Sequence, residues 1–349
     1  PLLLLCYLPE KIQMRVLRYF QGYSTETVNA MTRGILLFFM LYVSSSFHAR
    51  VKSSPGVIDS NVVVATRQGQ LHGSFMQPAQ GNRDIACLII AGSGPTDRNG
   101  NGPTINTNAY KKLATHLAEN GITSLRFDKR GIGESRQALL AEDSMRFEDG
   151  VEDAREMIQW LRMRPGIKRV VVIGHSEGSL IGMIASLGLA DAFVSIAGPG
   201  RPADVILKEQ LSQQTPPEYF IEANRVIDEM KAGKHPADVP LWLMSLARPS
   251  VQNYIISWFK YDPAVEISKL QIPIAVIQGG RDLQVMKEDG WLLTAAARAA
   301  TFSFIDNMNH VLVDVEDLDS QNRASYGEPE RPLSSGLITA IDDFFNALH

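Results

Sequence analysis

Residues 170–180 read VVVIGHSEGSL, and this stretch decides the fold. Its apolar residues predict a strand, the small residues that follow predict a helix, and the turn between them has the pattern Gly-x-Ser-x-Gly. A serine on so tight a turn needs glycine two positions to either side, because side chains there would collide with the sheet. Gly174, His175, Ser176 and Gly178 therefore predict a nucleophile turn with an exposed hydroxyl, and a purely structural turn is the alternative.

The predicted helix begins beside this serine, so its free N–H groups and its dipole face incoming negative charge. We expect the backbone N–H of Glu177 to be one of two donors to an oxyanion. The second donor has to come from the loop after the apolar strand at residues 85–91, where glycines allow close backbone approach. The Ser93 N–H is the predicted donor, with Gly92 and Gly94 as alternatives.

A serine hydroxyl at its ordinary pKa is a poor nucleophile and needs a base. On a strand–turn–helix nucleophile, an acid and then a histidine follow the serine along the chain. His310 follows a predicted strand at residues 301–305, so we expect it at the same edge of the sheet as Ser176, where it would act as the general base. His235 lies in a polar turn beside Pro236 and is predicted to be solvated.

The acid has to follow another strand end. Residues 274–278 predict a strand that leads into the turn GGRD, which ends at Asp282. This carboxylate is predicted to orient the imidazole of His310. Asp306 and Asp314 compete for the role, although both lie close to the histidine in the sequence, and an aspartate on a turn is also a common structural feature.

Strands alternate with helices along the rest of the body, which predicts an α/β fold with a mostly parallel, doubly wound sheet. An N-terminal antiparallel hairpin is predicted around QGQ at residues 68–70. Residues 200–265 have helical patterns and prolines but no convincing strand, so they predict a helical cap inserted into a core of residues 57–199 and 266–349. Residues 314–335 are polar and predict a long loop.

A further motif, RFDKRGIGES at residues 126–135, follows another predicted strand. Its glycines resemble part of a dinucleotide site, but the third glycine is absent and no helix begins at once. Asp128 and Arg130 are instead predicted to pair and to brace the loops under the nucleophile turn. The stretch GNG at residues 100–102 lacks the Lys-Ser/Thr of a phosphate-binding loop, so neither motif predicts a nucleotide site.

Residues 1–56 predict an N-terminal extension with a leader. From Met31, a short basic start precedes the apolar run ILLFFMLYV at residues 35–43, and three serines follow, which is the layout of a signal peptide at residues 31–49. Nine apolar residues are too few for a transmembrane helix, so no stable membrane span is expected in the mature chain. We expect export to the periplasm or medium if the leader functions, and a cytoplasmic protein otherwise; a buried or membrane-facing helix is the alternative.

The composition is that of an ordinary globular protein of 349 residues, with 45% hydrophobic residues. A net charge of −4 provides no electrostatic reason to expect nucleic acid as a partner. Cys6 and Cys87 form neither a disulfide scaffold nor a zinc site. Cys87 lies in an apolar run and is predicted to be a small buried hydrophobe. The oligomeric state is not predicted.

With these motifs in place, the chain resembles the α/β-hydrolase superfamily over about residues 57–349. The resemblance is carried by GHSEG, RFDKRGIGES, GGRD and MNH. The stretches AGSGPTDRNGN, RPSVQNYIISWFKYDP and NHVLVDVEDLDSQNRASYG look like a group of bacterial carboxylesterases with relatives among serine aminopeptidase-like hydrolases. Many relatives carry His-Gly where this chain has Ala91-Gly92.

The resemblance implies an α/β-hydrolase fold and an enzyme that hydrolyses small-molecule esters, with short- to medium-chain acids expected, without a cofactor or a metal. The catalytic residues would be Ser176, Asp282 and His310, with the Ser93 and Glu177 N–H groups as the oxyanion hole. A peptidase or amidase with the same triad is the alternative among enzymes. A catalytically silent binding protein on the same fold is the alternative from another class.

Overall fold

The computed structural model describes residues 56–316 and 319–348. The predicted leader at residues 31–49, like the rest of the extension up to residue 55, lies outside the described residues. Within the two described ranges, no helix is both long enough and apolar enough to cross a bilayer.

Eight strands form one sheet, in the order β1-β2-β6-β3-β7-β8-β9-β10, and β4 and β5 form a separate two-stranded ladder. The pairs β1–β2 and β2–β6 are antiparallel, and every other pair in the large sheet is parallel. This arrangement confirms the predicted mostly parallel sheet with an N-terminal antiparallel hairpin. The strands are β1 (Val57–Thr66), β2 (Gly69–Pro78), β3 (Ile85–Ile90), β4 (Asn101–Gly102), β5 (Ile105–Asn106), β6 (Thr123–Phe127), β7 (Arg169–His175), β8 (Ala192–Ile196), β9 (Ile274–Gly279) and β10 (Ala300–Ile305).

Helices cover the connections between these strands, as a parallel sheet requires. Five of them, α4 to α8, lie between β8 and β9, where no strand occurs. The helices are α1 (Ala109–Glu119), α2 (Phe147–Arg162), α3 (Glu177–Ser186), α4 (Ala203–Gln214), α5 (Pro217–Lys231), α6 (Met244–Ala247), α7 (Gln252–Trp258), α8 (Pro263–Ser268), α9 (Lys287–Ala296), α10 (Asp319–Ala324) and α11 (Ser335–Ala347).

Both faces of the sheet are covered, which explains the uninterrupted apolar sequence of β3. Leu88 and Ile90 point into a core that includes residues of α2 and α3. Cys87 and Ile89 point into a second core that includes residues of α1 and α11. Cys87 is fully buried with a free thiol, which confirms the prediction that it packs as a small hydrophobe. The helices between β8 and β9 bury an apolar cluster of their own, centred on α5 and α7.

The prediction of one long polar loop over residues 314–335 is wrong. Helix α10 and a 3₁₀ turn at Ser325–Gly327 form inside it. Their support is polar: Asn322 Oδ1 accepts a hydrogen bond from Asn309 Nδ2 at 3.0 Å, and Asn322 Nδ2 donates to the Arg281 carbonyl at 2.7 Å. Because buried amides rather than an apolar face hold this helix, hydrophobic periodicity does not reveal it.

Candidate active site

The turn between β7 and α3 is strained at Ser176, whose φ and ψ are 55° and −126°. A side chain at Gly174 would place its Cβ 2.3 Å from the Gly178 carbonyl oxygen, and one at Gly178 would lie 2.4 Å from the Ile90 carbonyl oxygen of the neighbouring strand. Both contacts are shorter than van der Waals distance to backbone that cannot move away. The two glycines of Gly-x-Ser-x-Gly therefore allow the turn to pack against β3 while Ser176 stands at the strand end.

The predicted base and the predicted acid are hydrogen-bonded to each other. His310 Nδ1 lies 2.8 Å from Asp282 Oδ2, and both side chains are buried. The other carboxylate oxygen, Asp282 Oδ1, accepts the backbone N–H groups of Gln284 at 2.8 Å and Val285 at 3.0 Å. A carboxylate held in this way accepts a hydrogen bond from the Nδ1–H group, so the imidazole presents Nε2 as its free nitrogen.

Ser176 and His310 line one cavity of about 130 Å³, which we call the nucleophile cavity. Ser93, Tyr110 and Gln284 also line it. Within the described residues, no hydrogen bond joins the Ser176 hydroxyl to the His310 imidazole. Such bonds are often long in a resting site and shorten when substrate is bound. Ser176 and His310 thus share one cavity at the carboxyl ends of the strands, and Asp282 is hydrogen-bonded to His310 behind it.

The loop after β3 has only some of its N–H groups free. Gly92 N–H donates to the Tyr110 hydroxyl at 3.1 Å, which removes Gly92 from the alternative oxyanion donors. No protein acceptor is recorded for the N–H groups of Ser93 and Gly94 within the described chain. A Cβ on Gly92 would lie 3.1 Å from the Ser176 Cβ, so this loop passes directly against the serine. Helix α3 begins at Glu177, whose N–H is one of the first-turn donors without an acceptor inside the helix.

A buried polar network joins three parts of this site, and sequence reasoning missed it. The Tyr110 hydroxyl lies 2.8 Å from His175 Nδ1, and His175 Nε2 lies 2.9 Å from the His310 carbonyl oxygen. A carbonyl only accepts, so Nε2 carries the proton and Nδ1 accepts from Tyr110. Burial, reinforced by the nearby charge of His310, lowers the pKa of His175 to about 3, so this ring is neutral. The only sequence signal was the position of His175 inside the turn.

Lys129, from the motif after β6, contacts the same loop. Its Nζ lies 2.5 Å from the Gly92 carbonyl oxygen and 2.7 Å from the Gly94 carbonyl oxygen. Burial lowers the pKa of Lys129, and the carboxylate of Glu177 opposes that effect. That carboxylate in turn accepts a hydrogen bond from the Tyr254 hydroxyl at 2.7 Å, which brings a residue of α7 to the start of α3.

The predicted pairing of Asp128 with Arg130 is wrong. The Asp128 carboxylate accepts the backbone N–H groups of Arg98 at 2.8 Å and Glu134 at 2.9 Å, so its lone pairs are used within its own loops. Arg130 instead forms a buried ion pair with Asp153 of α2. Asp128 thus holds the backbone at Arg98 and Glu134, whereas Arg130 contacts the β1–β2 turn and α2.

A larger cavity of about 380 Å³, which we call the main cavity, lies between the strand ends, α2 and α7. Its walls are mostly apolar, with Lys129 and Glu177 among the charged groups that reach it; the apolar lining includes Ile90, Phe127, Ile181, Leu246, Ile255 and Trp258. A third cavity of about 70 Å³ is lined by Ser93, Ser176 and Glu177 together with residues of α4. Ser93 lines all three cavities. No cluster of His, Cys, Asp and Glu suited to a metal ion occurs in the described residues.

Comparisons with known proteins show which proteins this chain is similar to. A family model described as serine aminopeptidase, S33, matches residues 101–197. Esterase EstD of Thermotoga maritima is 31% identical over 256 residues, which cover 70% of this chain and 59% of EstD. This chain therefore spans less than two thirds of the length of that curated relative.

Solved structures with lower identity share the fold. The α/β hydrolase GrgF from Penicillium sp. sh18 has a TM-score of 0.54 at 16% identity, covering 83% of this chain and 98% of GrgF. The Pyrococcus furiosus esterase Pf2001 has a TM-score of 0.53 at 17% identity, covering 84% of this chain and 91% of Pf2001. At these identities the likeness establishes the arrangement of strands and helices and nothing finer.

Proposed function

We propose that this chain is a serine esterase of the α/β-hydrolase superfamily that cleaves carboxylic esters through an acyl-enzyme intermediate. The observation that carries the proposal is the hydrogen bond of 2.8 Å between Asp282 Oδ2 and Nδ1 of His310, which lines the same cavity as Ser176. This arrangement supports a hydroxyl nucleophile, a base and an acid that orients the base. The similarity to EstD supports the choice of ester hydrolysis.

In the proposed reaction, the Ser176 Oγ attacks the ester carbonyl carbon while His310 Nε2 takes the hydroxyl proton. The carbonyl oxygen becomes an oxyanion, which accepts hydrogen bonds from the N–H groups of Ser93 and Glu177. When the C–O bond to the alcohol breaks, His310 Nε2 returns its proton to the leaving oxygen. A water molecule then attacks the acyl-enzyme, again losing a proton to Nε2, and this proton returns to Ser176 as the acid leaves.

The main cavity supports a short- to medium-chain acyl group as the substrate. Its volume of about 380 Å³ is at the lower end of what small-molecule sites have, and its walls are mostly apolar. Ser93 and Glu177, the two proposed oxyanion donors, line both the main cavity and the third cavity, which Ser176 also lines, so an acyl chain could extend from a carbonyl at Ser176 into the main cavity. The cavity would exclude long lipid chains unless the helices between β8 and β9 move.

The test uses p-nitrophenyl acetate, butyrate and octanoate with the full-length protein and a Ser176→Ala variant. We expect the variant to lose turnover while its thermal unfolding midpoint stays close to that of the wild type. Ser212→Ala, a substitution of an exposed serine on α4, is the matched control and is expected to keep full activity. A fluorophosphonate probe should label the wild type and the control but not Ser176→Ala. Activity or labelling that persists in Ser176→Ala would refute the assignment.

Amide cleavage is the second candidate, and the match to the serine aminopeptidase model favours it. The same triad hydrolyses amides if the leaving amine receives the proton from His310 Nε2. Parallel assays with p-nitrophenyl esters and aminoacyl p-nitroanilides separate the two activities. A preference for the anilides would make the protein an aminopeptidase. Absence of both activities and of probe labelling would support a silent binding protein.

A further inference from the structure

The side chain of Lys129 makes two hydrogen bonds beside the proposed oxyanion donor Ser93, and the triad mechanism gives them no role. Its ammonium donates to the carbonyl oxygens of Gly92 and Gly94, which flank Ser93 on either side. We propose that Lys129 is a positioning residue that turns the Ser93 N–H toward the oxyanion, an inference that rests on the proposed esterase function. Lys129 itself does not touch the reacting atoms in this proposal.

The geometry of the peptide bond provides the first argument. The described chain has no cis peptide bond, so the peptide that joins Gly92 to Ser93 is trans. In a trans peptide the C=O and the following N–H point in opposite directions. Because the Gly92 C=O points at the Lys129 ammonium, the Ser93 N–H points away from it. A flip of this peptide would break the hydrogen bond of 2.5 Å to Lys129 and would turn the N–H away from its proposed position.

The cavities provide the second argument. Lys129 lines the main cavity but neither of the two cavities that contain Ser176. Ser176 lines the nucleophile cavity and the third cavity but not the main cavity. Ser93 lines all three, so its loop borders both the cavity that Lys129 lines and the two cavities that Ser176 lines. An N–H that points away from Lys129 therefore points to the side on which Ser176 lies.

The other groups of the loop are already engaged, which leaves Lys129 as the group that sets this peptide. Gly92 N–H is bound to the Tyr110 hydroxyl, and the Ser93 carbonyl accepts from the Thr96 hydroxyl at 3.2 Å. Gly94 has a φ of 72°, a left-handed conformation that glycine adopts readily. Hydrogen bonds from a charged donor are stronger than neutral ones, so one ammonium can hold two carbonyls against the alternative loop conformation.

The neighbours of Lys129 keep the ammonium in place. Asp128 is fixed by two backbone N–H groups, and Arg130 is fixed by the buried carboxylate of Asp153. The segment therefore cannot shift along the 92–94 loop without breaking these three polar interactions. Charge balance comes from the nearby Glu177 carboxylate.

The test compares Lys129→Met with the wild type and with the matched control Lys168→Met. Lys168 is an exposed residue whose Nζ lies 3.0 Å from Asp84 Oδ2, and the 92–94 loop is not among its partners. Removal of one oxyanion donor lowers kcat by about 10²- to 10³-fold. Loss of Lys129 would leave the Ser93 N–H present but less well oriented, so the decrease in kcat should be smaller. We expect Lys129→Met to lower kcat for p-nitrophenyl butyrate by roughly 10- to 100-fold, with KM within about twofold.

A transition-state analogue separates positioning from a merely structural role. A trifluoromethyl ketone forms a bond to Ser176 Oγ, its carbonyl oxygen becomes an oxyanion, and the serine proton moves to His310. We expect its affinity for Lys129→Met to fall by the same factor as kcat/KM. The matching methyl ketone, which binds without forming the oxyanion, should bind both proteins equally. Equal losses for both ketones would overturn the proposal, because they would indicate general damage to the cavity.

If Lys129→Met does not fold, two further measurements test the proposed role of Lys129. Lys129→Gln, which keeps a shorter neutral donor, should fold and show a smaller loss of kcat in the same direction. A crystal structure of the wild type with the trifluoromethyl ketone should place the hemiketal oxygen within hydrogen-bond distance of Ser93 N; any other position overturns the proposal. If the wild type hydrolyses no ester, the proposed function fails first. If the wild type is active and Lys129→Met equals it, only the role of Lys129 fails.

Discussion

His175 Nε2 donates a hydrogen bond to the backbone carbonyl oxygen of His310, 2.9 Å away. The residue before the proposed nucleophile thus holds the backbone of the proposed base. The other nitrogen of His175 accepts from Tyr110, which also receives the Gly92 N–H. One buried network therefore joins the turn at Ser176, the loop that contains His310 and the loop after β3, so we expect a disturbance at one of them to affect the others.

We predict that Tyr110→Phe lowers both stability and activity. The variant leaves Gly92 N–H and His175 Nδ1 buried without partners, and each such group costs about 1–3 kcal/mol. The free energy of unfolding, measured with urea, should fall by a similar amount, and kcat for p-nitrophenyl butyrate should fall by roughly tenfold. Tyr219→Phe, at an exposed tyrosine on α5, is the control and should change neither value. Unchanged stability in Tyr110→Phe would contradict the network.

The low pKa of His175 predicts an acid-dependent loss of stability. Unfolded histidine takes up a proton near pH 6.5, whereas burial keeps the folded His175 neutral down to about pH 3. Between these values the unfolded chain binds more protons than the folded chain, so stability falls as the pH falls. From pH 7.5 to pH 5.5 the wild type should lose about 1.4 kcal/mol more than His175→Gln, as urea unfolding at both values would measure.

Asp153 changes the pH dependence of stability in the opposite direction to His175. The comparison of the wild type with His175→Gln removes this contribution of Asp153. Burial raises the pKa of Asp153 to about 6, so the folded protein holds this proton where the unfolded chain has lost it. The resulting contribution to stability is present at low pH and is lost as the pH rises through about 6. Both proteins contain Asp153, so the difference between them isolates His175. Parallel pH profiles for the two proteins would mean that His175 is not buried as a neutral ring.

Asp282→Asn is predicted to lower kcat by about 10³- to 10⁴-fold with little effect on KM. The amide would no longer hold the Nδ1 proton of His310, so the ring could present the wrong tautomer to Ser176. Asp306→Asn is the matched control, because this exposed aspartate was the competing acid in the sequence. Hydrolysis rates of p-nitrophenyl butyrate would decide: a larger loss in Asp306→Asn than in Asp282→Asn would reverse the assignment.

Leu246→Trp is predicted to shorten the acyl chain that the enzyme accepts. Leu246 lines the main cavity, and a larger side chain there would occupy space that a medium-length chain needs. We expect kcat/KM for p-nitrophenyl octanoate to fall at least tenfold, because each lost methylene contact in an apolar pocket costs about 1–3 kcal/mol. The kcat/KM for p-nitrophenyl acetate should change less than threefold. Leu292→Trp, on the exposed side of α9, controls for the substitution itself. Equal losses for both esters would place the acyl chain elsewhere.

The sheet and the neighbourhood of the proposed triad could be predicted because they follow from local pattern. The carboxyl ends of parallel strands meet at one edge, so residues that directly follow β7, β9 and β10 converge whatever the packing. Ser176, Asp282 and His310 each follow such a strand, and the structure brings all three to that edge. The roles assigned to them, and to Ser93 and Glu177, stay predictions until the variants are measured.

The residues that hold the proposed triad and its loops in place could not be predicted from the sequence, because side-chain direction depends on tertiary packing. Tyr110 begins a helix 65 residues before its partner His175, and nothing in the sequence marks the pair. Arg130 selects Asp153 rather than its neighbour Asp128, because backbone N–H groups already occupy the nearer carboxylate. Helix α10 was not predicted for a related reason, because buried amides rather than an apolar stripe stabilise it.

Tyr254 and Trp258 reach the main cavity from α7, which belongs to the helices inserted between β8 and β9, whereas Ser176, Asp282 and His310 follow strands of the sheet. In the proposed esterase, the reacting residues would therefore lie outside the inserted helices, which form one part of a cavity wall that core residues such as Ile90 and Phe127 complete. Mutations in the inserted stretch would be expected to change which esters fit while leaving the proposed triad unaltered. Such a division gives evolution, or a protein engineer, a way to diversify this scaffold while its reactive centre stays intact.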